Sequence, residues 1–191
     1  MRRWLVLLLV PLALTAACAG DDGDRSGATL RSENVVAGDA DEGIDGVQSI
    51  RVGEPDHTAA DVDYGLTPPA GGAHDQVWAN CGFYDEPVDD EHIVHDLEHG
   101  AVWLAYSPDL DGFERKLIQA QARANPKVIA TPYLGLVEGE AVVATAWARQ
   151  LRLDAVDDAR LVEFVAQYLD GSQAPEAGVT CGDSPVGEPI P

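Results

Sequence analysis

Cysteine is scarce in this chain: Cys18, Cys81 and Cys181 are all there are, and no two stand in a Cys-x-x-Cys pair, which argues against a dithiol redox motif. Methionine occurs once, at Met1, so a thioether copper(I) site is excluded. The sequence has no Gly-x-Ser-x-Gly elbow and no glycine-rich phosphate loop, which removes the usual signatures of a serine hydrolase and a nucleotide binder. Positive charge is also in short supply. The formal net charge is -21, and so acidic a surface repels nucleic acid and anionic lipid headgroups while favouring cations or basic partners. The acidic residues are scattered, which also suits simple solubility outside a cell. Histidine is no more abundant than usual, but all five (His57, His74, His92, His95 and His99) fall between residues 57 and 99.

There is one long apolar run, Trp4 to Leu14, preceded by Arg2 and Arg3. It is too short to span a membrane comfortably and has the layout of an export signal. Thr15, Ala16 and Ala17 before Cys18 resemble a bacterial lipobox, in which the cysteine is lipidated. The expected organisation is therefore a lipoprotein signal peptide over 1–17, a flexible acidic linker over 18–46 and a single domain over 47–191. Simple signal cleavage or retention of the run as an anchor are the alternatives. The expected location is the extracytoplasmic face of the cell membrane, held through lipid on Cys18, or else secretion; a lipid anchor of more than one chain is stable where a single chain is marginal. The linker is inferred from its Gly, Asp, Ser and Ala content, which buries too little apolar surface to offset ordering entropy.

With Cys18 assigned to lipid, Cys81 and Cys181 remain, and in an exported protein they are expected to form a disulfide. The coarse elements that follow are a helix opened by Asp89 or Asp90 and stopped at Gly100, and a buried strand over 101–106. Next come a helix over 112–124 with Phe113, Leu117, Ile118, Ala120 and Ala124 inward, and a strand over 128–131. Glu138-Gly139-Glu140 reads as a turn, 141–151 as a strand or strand pair, and 156–169 as an amphipathic helix. This order predicts a small α+β domain with a mixed sheet and packed helices, in a thioredoxin-like or ferredoxin-like arrangement. Trp103 and Trp147 read as core.

Ahead of the first helix the chain is dense in turn formers and aromatics. Its motifs Y-x-x-x-P-P-x-x-G-x-H (Tyr64 to His74), W-x-x-C-G-x-Y-D-x-P-V (Trp78 to Val88) and V-H-x-L-E-H-G-A-V-W (Val94 to Trp103) are joined later by T-A-W (Thr145 to Trp147) and P-E-x-G-x-x-C (Pro175 to Cys181). Together they resemble a bacterial family of exported or membrane-anchored proteins known as domain of unknown function 3105. The resemblance runs from about His57 to Cys181 and implies no settled activity. The positions that match are His57, Tyr64, Pro68, Pro69, Gly72, His74, Trp78, Gly82, Tyr84, His95, Glu98, His99 and Gly100; His92 is not among them.

The chemistry centres on His95-Asp96-Leu97-Glu98-His99. Residues four apart on a helix share a face, so His95 and His99 can present two imidazoles to one point with Glu98 beside them. That is half a metal site, suited to zinc or copper(II). His74 and His57 are the first choices for the missing ligands, with Asp85 or Tyr84 behind them, and Trp78, Tyr84 and Tyr64 are expected to line the site. Glu98 in a last helical turn opposes the helix dipole, so it is expected to face a cation or a loop donor. Two other readings compete. The same histidines can hydrogen-bond the carbonyls of the Pro-Gly loop without a metal, making the domain a protein-interaction module, and H-x-x-E-H matches the inverted zinc-protease motif of a metal-dependent hydrolase.

Overall fold

A computed structural model describes residues 29–40 and 43–191 of the chain. The readings placed on residues 1–28, including the signal peptide and Cys18, lie outside the described residues. Among the described residues no helix is long and apolar enough to cross a membrane.

Among the described residues the core is a seven-stranded mixed sheet. Its strands are β2 (Val35–Asp39), β3 (Gln48–Arg51), β5 (Gly82–Phe83), β6 (Val102–Tyr106), β7 (Val128–Pro132), β8 (Val142–Ala146) and β9 (Arg149–Leu153), in the order β2-β3-β9-β8-β6-β7-β5. A separate two-stranded parallel pair joins β1 (Leu30–Arg31) to β4 (Val62–Asp63). Strands β6, β7 and β8 are buried at every residue, the expected state of central strands covered on both faces. One layer of core packs Leu104, Tyr106, Val142 and Ala144 against Ile118, Phe164 and Tyr168 of the second and third helices; the other packs Trp103, Ala105 and Ile129 against Ile93, Val94 and Leu97 of the first.

Helices α1 (Asp90–Glu98), α2 (Gly112–Ala124) and α3 (Ala159–Tyr168) lie where the sequence predicts them. The 141–151 stretch is a strand pair, β8 and β9, in antiparallel register from Val142 with Leu153 to Ala146 with Arg149. Helix α2 begins with a full capping box between Asp111 and Glu114, which satisfies amide donors at its start. Its inward face differs from the predicted one: Ile118 and Ala122 are buried and Leu117 partly so, while Phe113 is 69% exposed and Ala120 and Ala124 face solvent. β6 and β7, joined by α2, are direct parallel neighbours, whereas a ferredoxin-like sheet splits that unit with another strand; of the two arrangements considered, the split one does not apply.

The folded part begins earlier than Val47. β1 and β2 lie within the stretch assigned to linker, and β2 pairs antiparallel with β3 across a register irregularity between Val36 and Gly38. Composition misses this because the segment is fastened by polar contacts. Asn34 is buried, its Oδ1 accepts the Ala70 amide at 2.7 Å, and its Nδ2 donates to the carbonyls of Gly71 at 2.9 Å and Ser32 at 3.2 Å. Ser32 Oγ accepts the Ala73 amide at 2.9 Å. These contacts hold the loop that carries His74.

Candidate metal centre

Helix α1 turns its second half inward, with Ile93 through Glu98 all buried. Its end is closed by neighbouring groups. The Glu176 amide donates to the Glu98 carbonyl at 3.0 Å, Lys127 Nζ to the His99 carbonyl at 2.7 Å, and the Asp170 amide to the Gly100 carbonyl at 2.8 Å. Gly100 adopts φ +91°, and a Cβ there would lie 3.1 Å from the Asp170 backbone, so the chain can leave the helix here only through glycine. His95, Glu98 and His99 are thereby fixed at the negative end of a helix dipole, an environment that favours a cation.

The loop ligands are fixed differently. His57 and His74 form a short parallel bridge, in which the Thr58 amide donates to the His74 carbonyl at 2.8 Å and the His74 amide to the Asp56 carbonyl at 3.0 Å. Tyr64, whose hydroxyl donates to the Ala73 carbonyl at 2.7 Å, braces the same loop. Gly72 has φ +108° and sits against Ser32 Oγ, where any Cβ would collide; its carbonyl lies 2.8 Å from His74 Nδ1.

These elements bring His57, His74, His95 and Glu98 together, one ligand atom from each lying within 4.8 Å of all the others. Ring centroids separate His57 and His74 by 4.9 Å, His57 and His95 by 5.0 Å, and His74 and His95 by 4.8 Å. His74 is fully buried, His95 and Glu98 nearly so, and His57 is exposed.

The hydrogen bonds assign the tautomers. His95 Nδ1 lies 2.8 Å from the Asp75 carbonyl and His74 Nδ1 2.8 Å from that of Gly72. A carbonyl only accepts, so each Nδ1 carries the proton and each Nε2 a lone pair. The His74 lone pair points at another acceptor, its Nε2 lying 3.1 Å from Glu98 Oε2 with no hydrogen bond, whereas His95 Nε2 accepts from His99 Nε2 at 3.1 Å. A proton or a cation between His74 and Glu98 turns that encounter from repulsive to favourable.

Burial makes His74, His95 and His99 poor proton carriers. It pushes His95 down to about 4, with nearby His74 and His57 adding to the effect against the Asp75 carbonyl. His99 is also lowered to about 4, by burial and then by His95, and burial lowers His74 as well. Glu98 is raised, by burial and then by the carboxylate of Glu176. At neutral pH these three imidazoles are therefore neutral.

The other candidates divide. Trp78 covers the site, its ring 5.6 Å from that of His95 and 5.5 Å from that of His99, and its Nε1 donates to the Gly182 carbonyl at 3.2 Å. Tyr84 is engaged elsewhere: its hydroxyl donates to the Asn80 carbonyl and its ring lies against Gly187. Asp85 is exposed and outside the cluster. His92 bonds the Val77 carbonyl instead of joining the other histidines. Trp147 is buried, as expected, yet its ring stands 6.3 Å from His74, so it also walls the site.

Cys81 and Cys181 are joined as a disulfide with Cα atoms 5.5 Å apart. The bridge brings in a residue that spacing alone does not nominate. Glu176 Oε2 comes within 3.8 Å of His99 Nε2, and Glu98, His99 and Glu176 form a second group of candidate ligands. The available signal was Glu176 in the motif that ends at Cys181, whose bonding to Cys81 draws that segment toward the histidine loop.

The family model described as a protein of unknown function (DUF3105) matches residues 57–183. The chain belongs to this family. The match takes in all five histidines, Glu98, Glu176 and both disulfide cysteines of the family domain. No curated protein and no solved structure matches the chain.

Proposed function

We propose that this is an exported, lipid-anchored protein that binds a divalent transition cation, zinc or copper(II), through His57, His74, His95 and Glu98. Storage, delivery or a structural role suits the site better than catalysis. The observation that carries this reading is the convergence of four donors within 4.8 Å, with the lone pairs of His74 and His95 oriented by backbone carbonyls. Three imidazoles and one carboxylate form a donor set that zinc and copper(II) accept. The inverted zinc-protease reading gains no comparable support, because Glu98 Oε2 faces His74 Nε2 directly and so occupies the place of a ligand.

Metal analysis of the untagged domain, purified without chelator, tests this reading, followed by calorimetric titration of the metal-free protein with zinc and with copper(II). Uptake of ion by the intact domain is expected. The competing arrangement puts a proton on Glu98 and shares it with His74, which leaves a metal-free interaction module; absence of uptake with either ion would establish it. The anchor has its own test. Export and lipidation rest on Arg2, Arg3, the apolar run and the Ala-Ala-Cys18 sequence, and Cys18→Ala should move the protein from the membrane fraction to the soluble fraction. Retention in the membrane would indicate an uncleaved anchor.

A further inference from the structure

Six donors meet at the end of α1, but they fall into two groups: His57, His74, His95 and Glu98 in one, Glu98, His99 and Glu176 in the other. Resting on the metal-binding reading above, we propose that the centre holds two divalent cations side by side, bridged by the carboxylate of Glu98. The inner ion takes the first group and the outer ion the second.

Glu98 is common to both groups, and an ionised carboxylate offers two oxygens with about four lone-pair sites, enough to bind an ion on each side. Ions bridged in this way typically stand about 3.5–4 Å apart. His99 belongs with the outer ion. It is buried, its Nδ1 has no hydrogen bond of good geometry, and its Nε2, 3.1 Å from His95 Nε2, also lies 3.8 Å from Glu176 Oε2. A second fully buried atom without a hydrogen bond, His74 Nε2, is aimed at the shared carboxylate from the inner side. Glu176 is held in place through its own backbone, whose amide donates to the Glu98 carbonyl at 3.0 Å.

The two positions differ in chemistry. The inner one has three imidazoles and is largely enclosed. The outer one has two carboxylates and one imidazole, and the Glu176 side chain is 57% exposed, so water completes its shell and the ion exchanges with solvent. The outer site is therefore the weaker and the more tolerant of hard, oxygen-preferring ions.

The test is zinc stoichiometry of the metal-free full-length protein by native mass spectrometry and calorimetry, in the wild type and in Glu176→Gln. Glu176 is exposed, so this variant keeps the fold. Two ions are expected in the wild type with affinities at least tenfold apart, and one in Glu176→Gln, with the tighter affinity changed by less than about threefold. One ion in both proteins would overturn the second site while leaving the first reading intact. Two ions in both would overturn the role of Glu176, and none in either would remove both proposals together.

Discussion

The ligands on α1 and those on the 57–74 segment reach the same point by opposite means. His95, Glu98 and His99 are positioned by helix geometry and by an apolar face, Ile93, Val94 and Leu97, pressed against the sheet. His57 and His74 stand on irregular chain whose backbone is held by Asn34, Ser32 and Tyr64. The helix half is stabilised by burial that any apolar residues of similar size would supply. The loop half depends on individual hydrogen bonds, each of which is costly to lose because its partner is left buried and unpaired. A site assembled from both combines a robust half with a fragile one.

The largest test removes the covalent tie on the loop side. Replacing Cys81 and Cys181 together by serine should cost up to about 4–5 kcal/mol by the chain-entropy model for a loop of this length, read as a lower urea midpoint. Loss of less than about 1 kcal/mol would mean that the tail is already held by its other contacts. The next test compares one ligand from each half. His95→Ala and His74→Ala should each weaken zinc binding at least about 100-fold, about 2.7 kcal/mol, while His92→Ala changes it less than about threefold; competition against a fluorescent chelator measures all three. A loss confined to the helix variant would show that the loop half is scaffold alone.

Asn34→Ala addresses the fragility directly. It leaves the Ala70 amide and the Gly71 carbonyl without their partner and should lower stability by about 2 kcal/mol, with weaker zinc binding in parallel. An Ile93→Val change on the helix side should cost about 1 kcal/mol and leave zinc affinity within about twofold. If the two variants affect affinity equally, the contrast between the halves fails.

The smallest effect is in pH. Burial lifts Asp90 to about 6, opposed by the hydrogen bond from the Tyr133 hydroxyl and helped by Glu91 and Asp89. Its folded-state value lies above the unfolded one, so the folded protein binds the extra proton. Stability from this group is full below about pH 4 and declines as pH rises through 6. Denaturation of the wild type should lose stability across that interval, and Asp90→Asn should flatten the slope.

Much of the fold from Asp90 onward is legible in the sequence because it is built on periodicity and end signals: acids at the start of α1, Gly100 after it, the Asp111 and Glu114 capping pair. The α1 histidines follow from the same spacing. The N-terminal strands were not legible, because Ser32 and Asn34 act through contacts 36 to 41 residues away, and polar, glycine-rich composition looks the same whether its side chains face water or a loop backbone. Glu176 was hidden for a related reason: only the fold and the disulfide bring it beside His99. The predicted inward face of α2 failed at Phe113, which stands exposed in the first helical turn.

The irregularity in β2 bears on how copies of the molecule treat one another. β2 and β5 are the outer strands of the sheet, and an open edge is a template on which another chain can add a strand. At one margin the register shift between Val36 and Gly38 interrupts the ladder beside an exposed Asp39. At the other, β5 is two residues long, and its Phe83 carbonyl is taken by the Ile190 amide at 2.7 Å. Among the described residues neither margin offers a straight run of free amides and carbonyls, so crowding should not convert the fold into sheet-extended aggregates.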